Sequence, residues 1–209
     1  MAGRTEKTRI LIGIPSAGYI TPETVQSVYN MDTGSLDVDM VCVRGYTADN
    51  RNVLAKKAVE GGYSHLMMVD SDVVVPKGAL GALLAVGGPV VLGYYYHRFS
   101  DGRIPEKTNL CPTDGDGYMT QYTSKELHAM QDDGESAILI RGGGVGCALI
   151  ETSVFEKLEK PWFKWVRYKS GRQLSEDLFF CEKCRDANIP IYAALDVACG
   201  HNIWQIAQA

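Results

Sequence analysis

Two aspartates separated by one serine interrupt the run HLMMVDSDVVVP, His65 to Pro76. The residues leading to them, Leu66 to Val69, are wholly apolar and read as a buried strand. A carboxylate placed there is costly unless it is paired or bound to a metal. In an extended segment Asp70 and Asp72 point to one side and Ser71 to the other, so the pair can present oxygens to one hard cation. A solvated turn would tolerate the same tripeptide; the apolar approach favours the functional reading.

Three further groups have chemistry to offer. In ADNRNVLAKKAVEGG, positions 51, 54, 55 and 58 share a helix face with Leu54, Ala55 and Ala58, which turns Arg51 inward. A buried guanidinium needs an anion, and both an ion pair with Asp70 and contact with a nucleotide satisfy it. In SEDLFF, Glu176 and Asp177 suit the positive end of a helix dipole. Asp177, however, shares its face with Cys181 and Cys184, at the rim of the core, where a carboxylate can serve as a base or hold an acceptor hydroxyl. DVACGH ends a strand at His201, whose neutral imidazole would complete the shell of an ion held by Asp72 and a diphosphate; mixed nitrogen and oxygen ligation leans to manganese over magnesium.

The cluster RGGGVG lies between two strand-like runs, so it lacks the strand-then-helix context of a dinucleotide fingerprint. It reads as a turn or as a side-chain-free wall beside a sugar. The one CxxC, Cys181 and Cys184, has no second pair at zinc-site spacing and reads as core packing.

The elements that must position these groups follow from periodicity. TRILIGIP is a buried strand ending at Pro15, followed by a helix that Thr21 caps and Pro22 opens. LDVDMVCVR alternates as a half-buried strand, and the Arg51 helix closes at Gly61 and Gly62. HLMMVDSD is the third strand, PKGALGALLAVGG a helix and PVVLGYYY the fourth strand. This alternation predicts an α/β fold with a mostly parallel central sheet and helices on both faces. After Tyr96 the polar, Gly- and Pro-punctuated stretch to Thr123 reads as a loop or small β-hairpin region. SAILIRGGGVGCALIE, TSVFEKL, EDLFFCEKCRDAN and IPIYAALDVACGH then add strand, helix, helix and strand. One domain spans 1–209, with 1–96 as a nucleotide-binding half and 97–209 as a sugar and acceptor half.

Composition narrows the classes. The chain has 209 residues, 45% hydrophobic and 22% charged, with a net charge of -4, which describes a globular protein without a nucleic-acid surface. No run reaches membrane-spanning length, and MAGRTEKTRI lacks a signal-peptide core, so six cysteines read as reduced thiols in the cytoplasm.

The sequence resembles nucleotide-sugar glycosyltransferases of the GT-A, Rossmann-like fold, most closely small family-2-like members. The matching stretches are IGIPSAGYITPET, DNRNVLAKKAVEGGYSHLMMVDSDVVVP, GGGVGCALIETSVFEKL, SEDLFF and CGH, in order along nearly the whole chain. It is also similar to the N-terminal domain of a large multidomain chlorella-virus glycosyltransferase, which would imply host cytoplasm. The resemblance implies metal-dependent transfer of a hexose or deoxyhexose from a UDP-sugar donor to a glycan acceptor with Mn2+ or Mg2+. It implies metal ligation by Asp72 and His201 with Asp70 close by. Pro15, Ser16, Gly18, Arg51, Asp70 and Ser71 fall in the nucleotide and donor pocket, and Gly143 and Gly144 in donor-sugar contacts. Asp177, with Glu176, falls at the catalytic position. The segment Tyr94 to Phe99 falls where the family varies in sugar recognition. The family's acceptor-binding tail after the final histidine is nearly absent, which implies acceptor recognition by further domains of a longer chain.

Two other functions fit some of the residues. A haloacid-dehalogenase-type phosphatase would use Asp70 as nucleophile and Asp72 as acid and base, although that motif usually opens its fold. A non-catalytic nucleotide-sugar or carbohydrate-binding domain would keep the fold without turnover.

Overall fold

In the computed structural model the described residues are 8–96, 106–168, 171 and 173–202. The chain runs through β1 (Arg9–Ser16), α1 (Pro22–Tyr29), β2 (Asp37–Arg44), α2 (Thr47–Glu60), β3 (His65–Val69), β4 (Val73–Val74), α3 (Ala79–Val86) and β5 (Val90–Tyr94). It continues through β6 (Leu110–Cys111), α4 (Ser124–Asp132), β7 (Ala137–Ile140), β8 (Gly142–Gly143), β9 (Cys147–Glu151) and α5 (Thr152–Lys157). It closes with β10 (Val166–Arg167), β11 (Gln173–Leu174), α6 (Glu176–Asp186), β12 (Ile191–Ala198) and β13 (Gly200–His201).

Seven strands form the central sheet in the order β2-β1-β3-β9-β5-β12-β7. β1 is parallel to β2 and β3, and β12 to β5, while β9 runs against both β3 and β5 and β7 against β12. Five strands therefore share one direction, and their carboxyl ends form one edge. Side chains alternate between two cores. Leu11, Leu66, Met68 and Leu92 pack with Leu54, Ala55 and Ala58 of α2 and Phe180 and Cys181 of α6. Ile10, Ile12, Ile14, Met67 and Val91 pack on the other face with Val28 of α1 and Leu80 and Leu83 of α3. A period of two along each strand, with apolar residues at both phases, is what a sheet covered on both faces requires. Cys181 and Cys184 are fully buried in the first of these cores.

Thr21 caps α1 by accepting from the Thr24 amide, with Pro22 in the first turn, as its sequence predicts. Directly after the polar stretch that ends at Thr123, a region assigned no element from sequence holds α4, whose start is a reciprocal capping box between Thr123 and Glu126. An expectation needs correction here. The Asp70–Asp72 segment is not extended: β3 ends at Val69, and the Val73 amide donates to the Asp70 carbonyl at 3.1 Å, closing a turn. Residues 97–99 of the expected sugar-recognition segment lie outside the described residues. Among the described residues, no helix is long and apolar enough to cross a membrane.

Candidate functional site

The turn after β3 is held from several sides by backbone. Asp70 N donates to Gly146 O at 2.8 Å, Thr21 N to Ser71 O at 2.9 Å, and Asn202 N to Asp72 O at 2.8 Å. β13 pairs antiparallel with β4, His201 opposite Val73 and Gly200 opposite Val74, which brings the imidazole beside Asp72. His201 Nδ1 lies 2.8 Å from the Tyr96 carbonyl, its ring edge-on to Tyr95 with centroids 5.1 Å apart. A carbonyl only accepts, so Nδ1 carries a proton, and Nε2 lies 3.5 Å from Asp72 Oδ1. Adjacent ligands of an octahedral ion at about 2.1 Å stand about 3 Å apart, so this carboxylate and imidazole fit two neighbouring positions of a divalent ion.

Asp70 is oriented differently. Because the turn breaks the alternation of a strand, the two carboxylates diverge, and both Asp70 oxygens lie near Arg51 Nη2, at 3.0 and 3.2 Å. Asp70 is thus engaged by Arg51, whereas Asp72 lies beside His201. Among the described residues no three His, Cys, Asp or Glu side chains gather into a metal cluster.

Arg51 sits at the centre of a buried cluster. Its side chain is 1% exposed; Nε lies 3.1 Å from Asp177 Oδ1 and 3.5 Å from Glu176 Oε1, and Nη1 contacts the Met68 sulfur. Burial by itself would lower the guanidinium's proton affinity, but the charges of Asp177, Asp70 and Glu176 outweigh it and keep Arg51 charged. The expected ion pair with Asp70 is present. The direct nucleotide contact is corrected, because so enclosed a guanidinium presents no surface to a ligand.

Three carboxylates share one cation, and the imbalance falls on Asp177. Burial, opposed by Arg51 and reinforced by Glu176 and Asp70, pushes its carboxyl from 3.8 up to about 7. Ser175 caps α6 and places Glu176 and Asp177 in its first turn, where both point inward. Tyr95 adjoins the same cluster: the Gly146 amide donates to its hydroxyl at 3.2 Å. Burial, and then the charges of Asp70 and Asp177, hold that hydroxyl well above its ordinary pKa, so it stays protonated.

The other expected residues gather on the same edge or pack behind it. Pro15 and Ser16 end β1; Ser16 Oγ accepts from Gly18 N at 3.2 Å and donates to Tyr19 O at 2.8 Å. Asn50 Nδ2 ties this loop to the one after β2, donating to Ser16 O and Gly45 O. The glycine cluster is not a simple turn, since β8 pairs with β6. A Cβ on Gly143 would sit 2.6 Å from Asn109 O, one on Gly144 2.4 Å from the Tyr95 hydroxyl, and one on Gly146 2.7 Å from both that hydroxyl and Asp70 Oδ2. The absent side chains thus make room for Tyr95 and Asp70. Asn109, Gly146 and Asn202 carry no local signal in the sequence because each acts through partners distant in the chain, while Tyr95 falls in the expected sugar-recognition segment and packs instead against the Arg51 cluster.

No protein-family model and no curated protein matches the sequence. Solved structures do match. The crystal structure of A197 from STIV aligns with a TM-score of 0.63 and 21% identity over 94% of this chain and 87% of that one. The crystal structure of GalNAc-T7 with UDP, GalNAc and Mn2+ aligns with a TM-score of 0.60 and 14% identity over 96% of this chain and 44% of that one. Neither likeness supports the expected chlorella-virus origin. At such identities the similarity is one of architecture: the mostly parallel sheet with its helices has the GT-A glycosyltransferase fold.

Proposed function

We propose that this chain is a metal-dependent glycosyltransferase that moves a hexose or deoxyhexose from a UDP-sugar to a hydroxyl of a glycan. The observation that carries this reading is the Asp72–His201 pair. A carboxylate and an imidazole whose Nδ1 is held by a backbone carbonyl lie 3.5 Å apart at the carboxyl edge of a GT-A sheet, where ligands of open α/β sheets bind. Both side chains are partly exposed, at 23% and 16%, as ligands meeting an incoming diphosphate must be. The solved GalNAc-T7 complex with UDP and Mn2+ lends the fold-level analogy.

Asp72 and His201 would hold a divalent cation, manganese or magnesium, whose chemistry when bound is Lewis-acid stabilisation of the charge developing on the leaving diphosphate. Pro15, Ser16, Gly18 and Ser71 border the nucleotide on this reading, and Gly143 and Gly144 back the sugar. As the acceptor oxygen bonds to the anomeric carbon, the bond to the diphosphate breaks and the acceptor proton passes to Asp177. A carboxyl raised to about 7 suits a general base near neutral pH. Arg51 acts from behind: its charge holds Asp70 and Asp177 in place, which makes it a positioning residue, with Glu176 a third partner of that cation.

The phosphatase alternative requires Asp70 as nucleophile, and both of its oxygens are held by Arg51. A screen of nucleotide-sugars for metal-dependent hydrolysis and thermal stabilisation tests the proposal. UDP-sugar turnover that needs manganese and is lost in Asp72→Ala supports it. Metal-dependent UDP binding with no turnover of any donor would indicate a non-catalytic domain, and a phosphorylated Asp70 would indicate the phosphatase.

A further inference from the structure

β10 and β11 form a short antiparallel hairpin in which Val166 faces Leu174 and Arg167 faces Gln173. Side chains alternate across such a hairpin. Leu174 is 2% exposed and Val166 half-buried, so that pair faces the core, and the other face turns Arg167 and Gln173 outward. Trp165, two residues from Arg167, belongs to the same outward phase and is 60% exposed. Among the described residues none of these three side chains has a hydrogen bond, ion pair or ring contact. By contrast Trp162, three residues earlier, is buried, and its indole N–H donates to the Phe155 and Leu158 carbonyls.

The position of this face matters as much as its chemistry. The hairpin register, continued one step, carries Trp165 towards Ser175, which caps α6 and precedes Asp177 by two residues. The outward face therefore borders the helix end that bears the proposed base. A pyranose ring offers polarised C–H bonds to the negative face of an indole. Its hydroxyls offer both donors and acceptors to a planar guanidinium and an amide.

We propose that Trp165, Arg167 and Gln173 form a saccharide-binding face that seats a sugar ring of the acceptor next to the N-terminal end of α6. This assignment rests on the glycosyltransferase reading for the ring's role as acceptor. The affinity of the face for a saccharide is independent of that reading.

The test uses maltotriose, cellotriose and chitotriose as probes, titrated by calorimetry into the whole chain and two variants, with UDP and manganese titrated in parallel. The expected result is that at least one triose binds and that Trp165→Ala weakens it by about 10-fold or more. Trp165→Phe, which keeps an aromatic face, should restore most of the affinity, and UDP binding with manganese should be the same in all three proteins. Trp165 is exposed, so circular dichroism should report an unchanged fold. Equal triose binding by wild type and Trp165→Ala, or no binding of any triose to wild type, overturns the proposal. If a triose binds through Trp165 but UDP does not bind with manganese, the saccharide face stands and the glycosyltransferase reading falls.

Discussion

Asp70 and Asp72 are two residues apart in one turn, with similar exposure at 26% and 23% of their side chains, yet they belong to different kinds of site. Asp70 is part of an internally compensated cluster, tied to a guanidinium that is 1% exposed and that also meets Asp177 and Glu176. Asp72 lies 3.5 Å from the His201 imidazole, in a partly exposed pair at the sheet edge. Buried charge in the first region is answered by a buried guanidinium, whereas the second region is open to solvent. The contrast sets a buried ion cluster beside a partly exposed pair, and each can be perturbed without the other.

The largest effect should come from removing the central cation. Arg51→Ala leaves Asp70, Glu176 and Asp177 facing one another in a buried space, and losing one partner of a buried ion pair costs about 3 to 5 kcal/mol. Urea unfolding measures this, and a loss under about 1 kcal/mol would mean that the cluster is not the structural half of the contrast. Next is Asp177→Asn, which should lower transfer by about 100-fold with UDP affinity unchanged.

The same substitution should alter stability in the opposite sense. The folded-state pKa of Asp177 is raised from 3.8 to about 7, so between those values the folded protein binds the proton more readily than the unfolded chain. Its contribution favours the fold at low pH and declines as pH rises towards 7. Asp177→Asn should flatten that part of the pH–stability profile and be at least as stable as wild type at pH 8; an unchanged slope would refute the assignment of a raised pKa.

A smaller effect separates two glycines of the same edge. Gly146→Ala would push a methyl to 2.7 Å from Asp70 and the Tyr95 hydroxyl, costing about 1 to 3 kcal/mol, whereas Gly18→Ala meets nothing within 4 Å and should stay within about 0.5 kcal/mol. Equal costs on thermal unfolding would mean that Gly146 is not fitted around Asp70.

Much of the architecture was legible because its signals are local. Thr21 and Pro22 mark the start of α1, the inward face of α2 identifies Arg51, and the phase shared by Asp177 and Cys181 predicts an acid turned to the core. The same kind of signal was present but unread for α4, where Thr123 and Glu126 stand at capping-box spacing. Pairings between distant segments were not legible. The insertion of β9 between β3 and β5 depends on contacts over tens of residues, and so does the β13–β4 pairing that delivers His201. Asp70 and Asp72 were misread as parallel neighbours because an apolar run gives a strand's direction but not the residue at which hydrogen bonding turns the chain.

The central claim is that the charge facing Asp72 and His201 is a divalent cation that shares its shell with a nucleotide diphosphate. Two side-chain ligands fill only part of an octahedral shell, so metal and UDP should bind cooperatively, with a coupling of about 1 to 3 kcal/mol. Calorimetric titration of UDP in manganese and in chelator tests this most directly. The account predicts that UDP affinity rises about 5- to 150-fold with manganese, that manganese affinity rises by the same factor with UDP, and that Asp72→Ala abolishes the coupling while His201→Ala weakens it. Equal UDP affinity in manganese and in chelator would contradict it.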